Sequence, residues 1–286
     1  MKPAHRDFPV APGSEKRTDV AKKKTIPELQ AMKAKDEKIV MVTAYDATFT
    51  RILDQAGVDC VLVGDSLSMV IQGNPDTLSV TLDEMIYHGR IVRRGISKAH
   101  LVVDLPFGSY QESPEQAVRS ASRLMKEGGA ESVKLEGGLP MVPSVRRLSE
   151  VGIPVMGHIG LTPQSIHAFG GFKVQGRSAE AAAILKESAL ALEDAGAWAI
   201  VLEGIPSALA REISLSLRIP TIGIGAGAAC DGQVLVIYDL LGMDNSFNPK
   251  FAKKYAKLAD TINEAVGSFI GEVRSGQFPA AEHSYS

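Results

Sequence analysis

Cysteine is scarce: Cys60 and Cys230 are the only two among 286 residues. Two thiols cannot build a disulfide framework or a cysteine-rich zinc site. Cys60 sits in the apolar run DCVLVG and reads as a small buried hydrophobe. No apolar run approaches the roughly 20 residues that a membrane helix needs. Excess positive charge is missing too, with 31 Lys+Arg against 33 Asp+Glu and a net charge of -2. The basic footprint of a nucleic-acid or anionic-lipid binder is therefore absent. The N-terminus lacks the apolar centre of a secretory signal, and Asp7, Glu15 and Asp19 argue against an organelle transit peptide. A cytoplasmic chain that meets neither nucleic acid nor membrane is expected. Residues 1–24 are expected to form a flexible N-terminal tail ending in the solvated charge run Lys22 to Lys24.

What the chain does have, from Thr25 onward, is one recurring pattern. A short Val- and Ile-rich run ends in a polar or acidic residue, an amphipathic stretch follows, and a glycine precedes the next run. The runs are Ile39 to Asp46, Asp59 to Ser66, Leu101 to Phe107, Glu131 to Gly138, Ile153 to Gly160, Trp198 to Gly204, Ile219 to Gly227 and Gly232 to Asp239. Near-continuous apolar runs of this length are expected of parallel strands covered on both faces. Helices are predicted over Pro114 to Glu127, with Ser113 as N-cap, and over Ala179 to Ala195, Pro206 to Leu217 and Pro249 to Val273. Eight such units over 25–286 predict a single-domain α/β protein, a closed (β/α)₈ TIM barrel. An open doubly wound sheet would want a Gly-rich loop after the first strand, and TAYDATF has none. The final AAEHSYS reads as a tail.

Charged and polar residues gather where the strand runs end: Asp46, Asp65, Ser66, Asp104, Lys134, Glu136, His158 and Glu203. In a parallel barrel those ends share the face that carries active sites. Carboxylates crowded there repel one another and call for a cation, a proton or basic neighbours. An all-oxygen set suits Mg²⁺ or Mn²⁺ better than Zn²⁺. Asp46 and Asp83 also read as helix N-caps, and His158 as a hydrogen-bonded barrel histidine. Asp65 and Asp104 close very apolar runs, where an unpaired charge is costly. Lys134 and Glu136, two apart on one strand, point the same way. They either line the interior, with Lys134 meeting an anion, or pair with each other. The glycines of IGIGAG (222–227) alternate, which is not a dinucleotide loop, and are expected to let backbone approach a ligand. GGFKVQGR (170–177) reads as a mouth loop that gates the site or meets another subunit.

At these residues the chain resembles the ketopantoate (3-methyl-2-oxobutanoate) hydroxymethyltransferase family. The likeness is carried by TAYD (43–46), LVGDSL (62–67), VDLPFGSY (103–110), VKLEGG (133–138), GHIGLTPQS (157–165), GGFKVQGR, VLEGIP (201–206), IGIGAG, DGQVLV (231–236) and the terminal EHSY. The resemblance implies a (β/α)₈ barrel of the phosphoenolpyruvate/pyruvate kind, self-associated as a homodecamer. It implies one Mg²⁺ per subunit held by Asp65 and Asp104, with Glu136 completing the site directly or through water. Asp65, Ser66, Asp104 and Lys134 would contact a 2-oxo acid, His158 would be a pocket residue, and Glu203 the general base. The implied reaction moves a one-carbon unit from 5,10-methylenetetrahydrofolate to 3-methyl-2-oxobutanoate through a Mg²⁺-stabilised enolate. It gives 2-dehydropantoate, the first step toward pantothenate and coenzyme A. Ser68 departs from the family's usual Gly, and Gly204-Ile205 from a bulkier pair beside the glutamate. Two other readings share the features: a Mg²⁺-dependent carbon–carbon lyase of the isocitrate-lyase type, and a silent barrel that senses a 2-oxo acid.

Overall fold

The computed structural model describes residues 22–244 and 249–285. Eight strands form a closed parallel barrel in sequence order: β1 (Ile39–Thr43), β2 (Cys60–Val63), β3 (His100–Asp104), β4 (Ser132–Glu136), β5 (Val155–Gly160), β6 (Ala199–Glu203), β7 (Thr221–Ile224) and β8 (Gly232–Leu235). Seven lie inside their predicted runs, and β3 begins one residue before its own, at His100. The helices are α1 (Ile26–Ala34), α2 (Ala47–Ala56), α3 (Leu67–Val70), α4 (Leu82–Arg93), α5 (Pro114–Lys126), α6 (Val142–Glu150), α7 (Ile166–Phe169), α8 (Ala179–Asp194), α9 (Ser207–Ser216), α10 (Ile237–Leu241) and α11 (Leu258–Ser275).

The alternation of side chains along each strand divides the core in two. One set, including Val61, Val63, Leu101, Val103, Val133 and Leu135, packs outward against the helices. The other, including Met41, Cys60, Leu62, Val102, Met156 and Val201, fills the barrel. Cys60 is fully buried there, as its sequence context predicts. Leu29 and Met32 of α1 close the barrel floor. Lys24 pairs with Asp59 at 2.9 Å, Lys33 with Asp231 at 2.8 Å, and Lys23 with Glu131 at 2.5 Å. The charge run expected in solvent is thus folded onto the floor at Lys23 and Lys24, because strand starts supply acidic partners. Residues 1–21 of the expected tail lie outside the described residues.

Local chemistry explains the helix ends. Ser113 Oγ accepts the Gln116 N–H at 3.1 Å and Pro114 opens α5. Asp46 caps α2, its Oδ1 accepting the N–H groups of Thr48 and Phe49 at 2.7 and 2.9 Å. Asp83 is not a cap: Thr81 takes that place with Glu84, and Asp83 pairs with Arg123 at 2.9 Å. The helix expected from Pro249 begins only at Leu258. Lys250, Lys253, Lys254 and Lys257 crowd the intervening stretch, and its backbone bonds elsewhere, Tyr255 N–H donating to Leu240 O at 2.8 Å. α11 contains no buried residue, and Ile262, Val266, Phe269, Ile270 and Val273 form an exposed stripe at helical spacing. Where the terminal tail was expected, Ala281–His283 form a 3₁₀ turn. Among the described residues, no helix is long and apolar enough to cross a membrane.

Candidate active site

A cavity of about 680 Å³ opens at the C-terminal mouth of the barrel. Asp65, Ser66, Asp104, Lys134, Glu136, His158 and Glu203 all line it. Consecutive strands carry them, so neighbours in the ring are neighbours in space. Asp65 follows β2, and its N–H donates to Oδ2 of Asp104, the last residue of β3, at 3.1 Å. At Gly64, just before Asp65, a Cβ would meet Ser66 Oγ at 2.8 Å, so glycine there leaves room for the Ser66 hydroxyl. Asp104 is in register with Lys134 on β4, and Lys134 Nζ lies 2.9 Å from its Oδ1. Glu136, at the end of β4, is in register with His158 on β5, whose Nδ1 is 3.4 Å from Glu136 Oε1. His158 Nε2 then faces Glu203 Oε2 at 3.2 Å, an ion-pair approach off the hydrogen-bond line. Ser66 Oγ shares a hydrogen bond with Tyr45 Oη at 2.9 Å. At Gly160 (φ 99°), opposite Glu203, a Cβ would collide with the Glu203 carbonyl, so glycine there lets β5 and β6 close at the base of that glutamate.

The result is a polar arc from β2 to β6. Apolar side chains, among them Leu62, Ile224, Val234 and Val236, complete the wall. Lys134 and Glu136 do share the interior face, but Lys134 pairs with Asp104 rather than with Glu136.

The arc is short of positive charge. Burial, together with the charges of Asp104 and Glu136, holds the Asp65 carboxyl well above the usual range. Burial also raises Asp104, against the opposing pull of Lys134. Burial would raise Glu136 as well, but His158, Lys134 and the Gln164 N–H outweigh it and the net direction is down. For His158, burial and Lys134 push down while Glu136 and Glu203 lift the imidazole to about 9. Lys134 is held above its ordinary value because three carboxylates outweigh its burial. Lys134 and His158 are thus the two basic groups that face four carboxylates, and a divalent ion would relieve the crowding of acidic groups.

The donor set fits that ion. Asp104 Oδ1 is buried with only the Lys134 ammonium beside it, and hard carboxylate oxygens line the cavity. Among the described residues, no three His, Cys, Asp or Glu side chains form a ready-made cage. Mg²⁺ needs none, since it is commonly held by one or two carboxylates with substrate and water supplying the rest. Glu136 is engaged on both oxygens, by His158 and by the Gln164 N–H.

Two buried residues of the site carry no charge and escaped the sequence reading. Gln164 and Tyr110 lie in segments recognised for their motifs, yet a neutral amide and a phenol in loops look like surface residues. Their hydrogen bonds reach Asp65 and Glu136. In the Gly-rich segment, Phe172, Lys173 and Val174 line the cavity, as a mouth loop should. In IGIGAG, Gly225 and Gly227 line it, but the space beside Gly225 is filled by the Phe251 ring at 3.1 Å, and Gly223 packs against Cys230 and Gln233. At all three glycines, then, it is protein that occupies the space, Ser207 filling it beside Gly227. Ser68 is buried and accepts from Asn74 at 3.1 Å, away from the arc, while Ile205 is absorbed into the core.

Residues 23–281 match the family model described as ketopantoate hydroxymethyltransferase. A 3-methyl-2-oxobutanoate hydroxymethyltransferase from Anaeromyxobacter sp. (strain Fw109-5) is 59% identical over 265 residues, covering 91% of this chain and 87% of its own. One from Pelobacter propionicus is 56% identical over 269 residues, covering 94% and 100%. Among solved structures, 2,3-dimethylmalate lyase, a member of the PEP mutase/isocitrate lyase superfamily, superposes with TM-score 0.56 at 16% identity over 91% of both chains. Phosphonopyruvate hydrolase in complex with oxalate and Mg²⁺ gives 0.57 at 12% identity, over 90% and 92%. The structural likenesses establish the barrel fold. The sequence matches span nearly all of the described residues and include every residue of the arc, so the chain belongs to the ketopantoate hydroxymethyltransferase family.

Proposed function

We propose that this chain transfers the one-carbon unit of 5,10-methylenetetrahydrofolate to C3 of 3-methyl-2-oxobutanoate, giving 2-dehydropantoate, the first step toward pantothenate and coenzyme A. Family membership supports the reaction. The observation that carries the site assignment is the continuous arc Asp65–Asp104–Lys134–Glu136–His158–Glu203 facing an apolar wall. A branched 2-oxo acid has one charged, chelating end and one alkyl end, and the cavity offers a surface for each.

Asp65 and Asp104 would hold one Mg²⁺ per subunit, with Glu136 contributing through water. Mg²⁺ bound there supplies Lewis-acid polarisation of the keto group, which favours loss of the C3 proton and stabilises the enolate. Lys134 offsets the charge of the incoming carboxylate and holds Asp104. Ser66, oriented by Tyr45, offers its hydroxyl to the substrate. Glu203 is the carboxylate least committed to protein partners: its side chain is 14% exposed and faces only His158 among the ion pairs. It takes the C3 proton as general base, and His158 steadies the carboxylate before transfer. The carbon nucleophile then forms the new C–C bond to the methylene carbon. Water supplies the hydroxyl oxygen and tetrahydrofolate leaves.

Self-association as a homodecamer belongs to the same proposal. The unburied apolar stripe of α11 supports association between copies. A cytoplasmic setting suits two free, buried thiols.

The test is product formation by the purified chain. The proposal expects 2-dehydropantoate only when 3-methyl-2-oxobutanoate, methylenetetrahydrofolate and Mg²⁺ are all present. Carbon–carbon cleavage of a 2-oxo or malate-type acid without folate would favour the lyase reading instead. Oxo-acid binding with no turnover would favour a sensor.

A further inference from the structure

We propose that Gln164 is a positioning residue that fixes Asp65 and Glu136 together in the orientation a divalent cation requires. The inference rests on the proposed cation site. Gln164 is 6% exposed, in the short 3₁₀ turn Pro163–Ser165 that follows β5. Its Nε2 donates to Asp65 Oδ2 at 2.8 Å and to Leu105 O at 3.0 Å. Its Oε1 accepts from Tyr110 Oη at 2.6 Å and from Gln111 Nε2 at 3.0 Å. Its backbone N–H donates to Glu136 Oε2 at 2.9 Å. A primary amide has two donors and two acceptor lone pairs, and all four are used. Turning the amide over would set oxygen against Asp65 Oδ2 and Leu105 O, so the network permits one orientation. Tyr110 locks the far end, because its hydroxyl also accepts the Glu136 N–H at 3.0 Å.

The choice of a neutral side chain has a physical reason. A lysine or arginine here would hold Asp65 equally well but would cancel charge and compete with the metal. An amide grips a carboxylate oxygen while leaving the negative charge in place. Such partners of metal-binding groups commonly change metal affinity about 10–100-fold when removed. One residue reaches two carboxylates from different strands, so its loss should loosen both.

The experiment titrates the metal-free full chain with Mn²⁺ alone, following the EPR signal of the free ion, for wild type, Gln164→Leu and Tyr110→Phe. Gln164→Leu is expected to weaken Mn²⁺ binding about 10–100-fold. Tyr110→Phe, which removes one hydrogen bond from the clamp, should weaken binding about 3–10-fold. A purely structural role would lower thermal stability without moving the metal affinity. Equal Mn²⁺ affinity in wild type and Gln164→Leu overturns this inference alone. A wild-type chain that binds no Mn²⁺ overturns the cation site and the inference with it. Should Gln164→Leu fail to fold, Tyr110→Phe decides, and unchanged affinity there overturns the proposal.

Discussion

Replacing Lys134 with methionine removes the ammonium group at the centre of the arc while keeping most of its volume. Lys134 is 5% exposed, and its Nζ is 2.9 Å from Asp104 Oδ1. Without it, Asp104, Asp65 and Glu136 remain buried with His158 as the one close cation. Removing one partner of a buried pair typically costs about 3–5 kcal/mol, because the other charge is left uncompensated. At about 2–4 °C per kcal/mol for a chain of this size, the melting temperature in chelator should fall by about 6–20 °C. Asp104→Asn should cost less, since the amide oxygen can still accept the Asp65 N–H and one negative charge leaves the cluster. The double variant Lys134→Met/Asp104→Asn should be more stable than Lys134→Met alone, a coupling of about 0.5–3 kcal/mol. Thermal unfolding at one fixed protein concentration measures all four proteins. A Lys134→Met variant within about 1 kcal/mol of wild type would refute the reasoning. So would a double variant no better than the single.

Asp65→Ala and Asp104→Ala should each raise the Mg²⁺ concentration needed for half-maximal activity steeply, since each removes an oxygen ligand. Wild-type metal titration curves in both variants would remove them from the site. Stability should also couple metal to pH. Asp65 is raised above its unfolded value, so its contribution is fully present below the unfolded pKa and is lost as pH rises through the folded one. The gain in melting temperature on adding Mg²⁺ should therefore be larger on the alkaline side of that titration than on the acidic side. A gain independent of pH would contradict the charge accounting.

The strands were legible because a parallel barrel buries both faces of each one, leaving continuous apolar runs that end at a polar residue. The arc was legible for the same reason: a charge closing such a run, as at Asp65 and Asp104, has nowhere to point but the mouth. The two-residue period of strands put Lys134 and Glu136 on one face, although the lysine's partner came from the adjacent strand, which spacing within one strand does not reveal. Gln164 and Tyr110 were illegible because their importance lies in hydrogen bonds closed by distant segments, Asp65 being 99 residues from Gln164. Lys23 and Lys24 misled for a related reason. A basic run reads as solvated until strand starts such as Asp59 and Glu131 are seen beside it. The missing first turns of the helix expected at Pro249 reflect a backbone pairing, Tyr255 to Leu240, that propensity does not encode.

The most direct measurement of the central claim is exchange of the C3 proton of 3-methyl-2-oxobutanoate with D₂O, followed by NMR without any folate. Wild-type protein should exchange it only when Mg²⁺ is present. Glu203→Gln should lose about 10²–10⁴-fold of that rate while still binding the oxo acid in a Mg²⁺-dependent manner. Exchange at the wild-type rate in Glu203→Gln, or exchange in wild type that ignores Mg²⁺, would contradict the account.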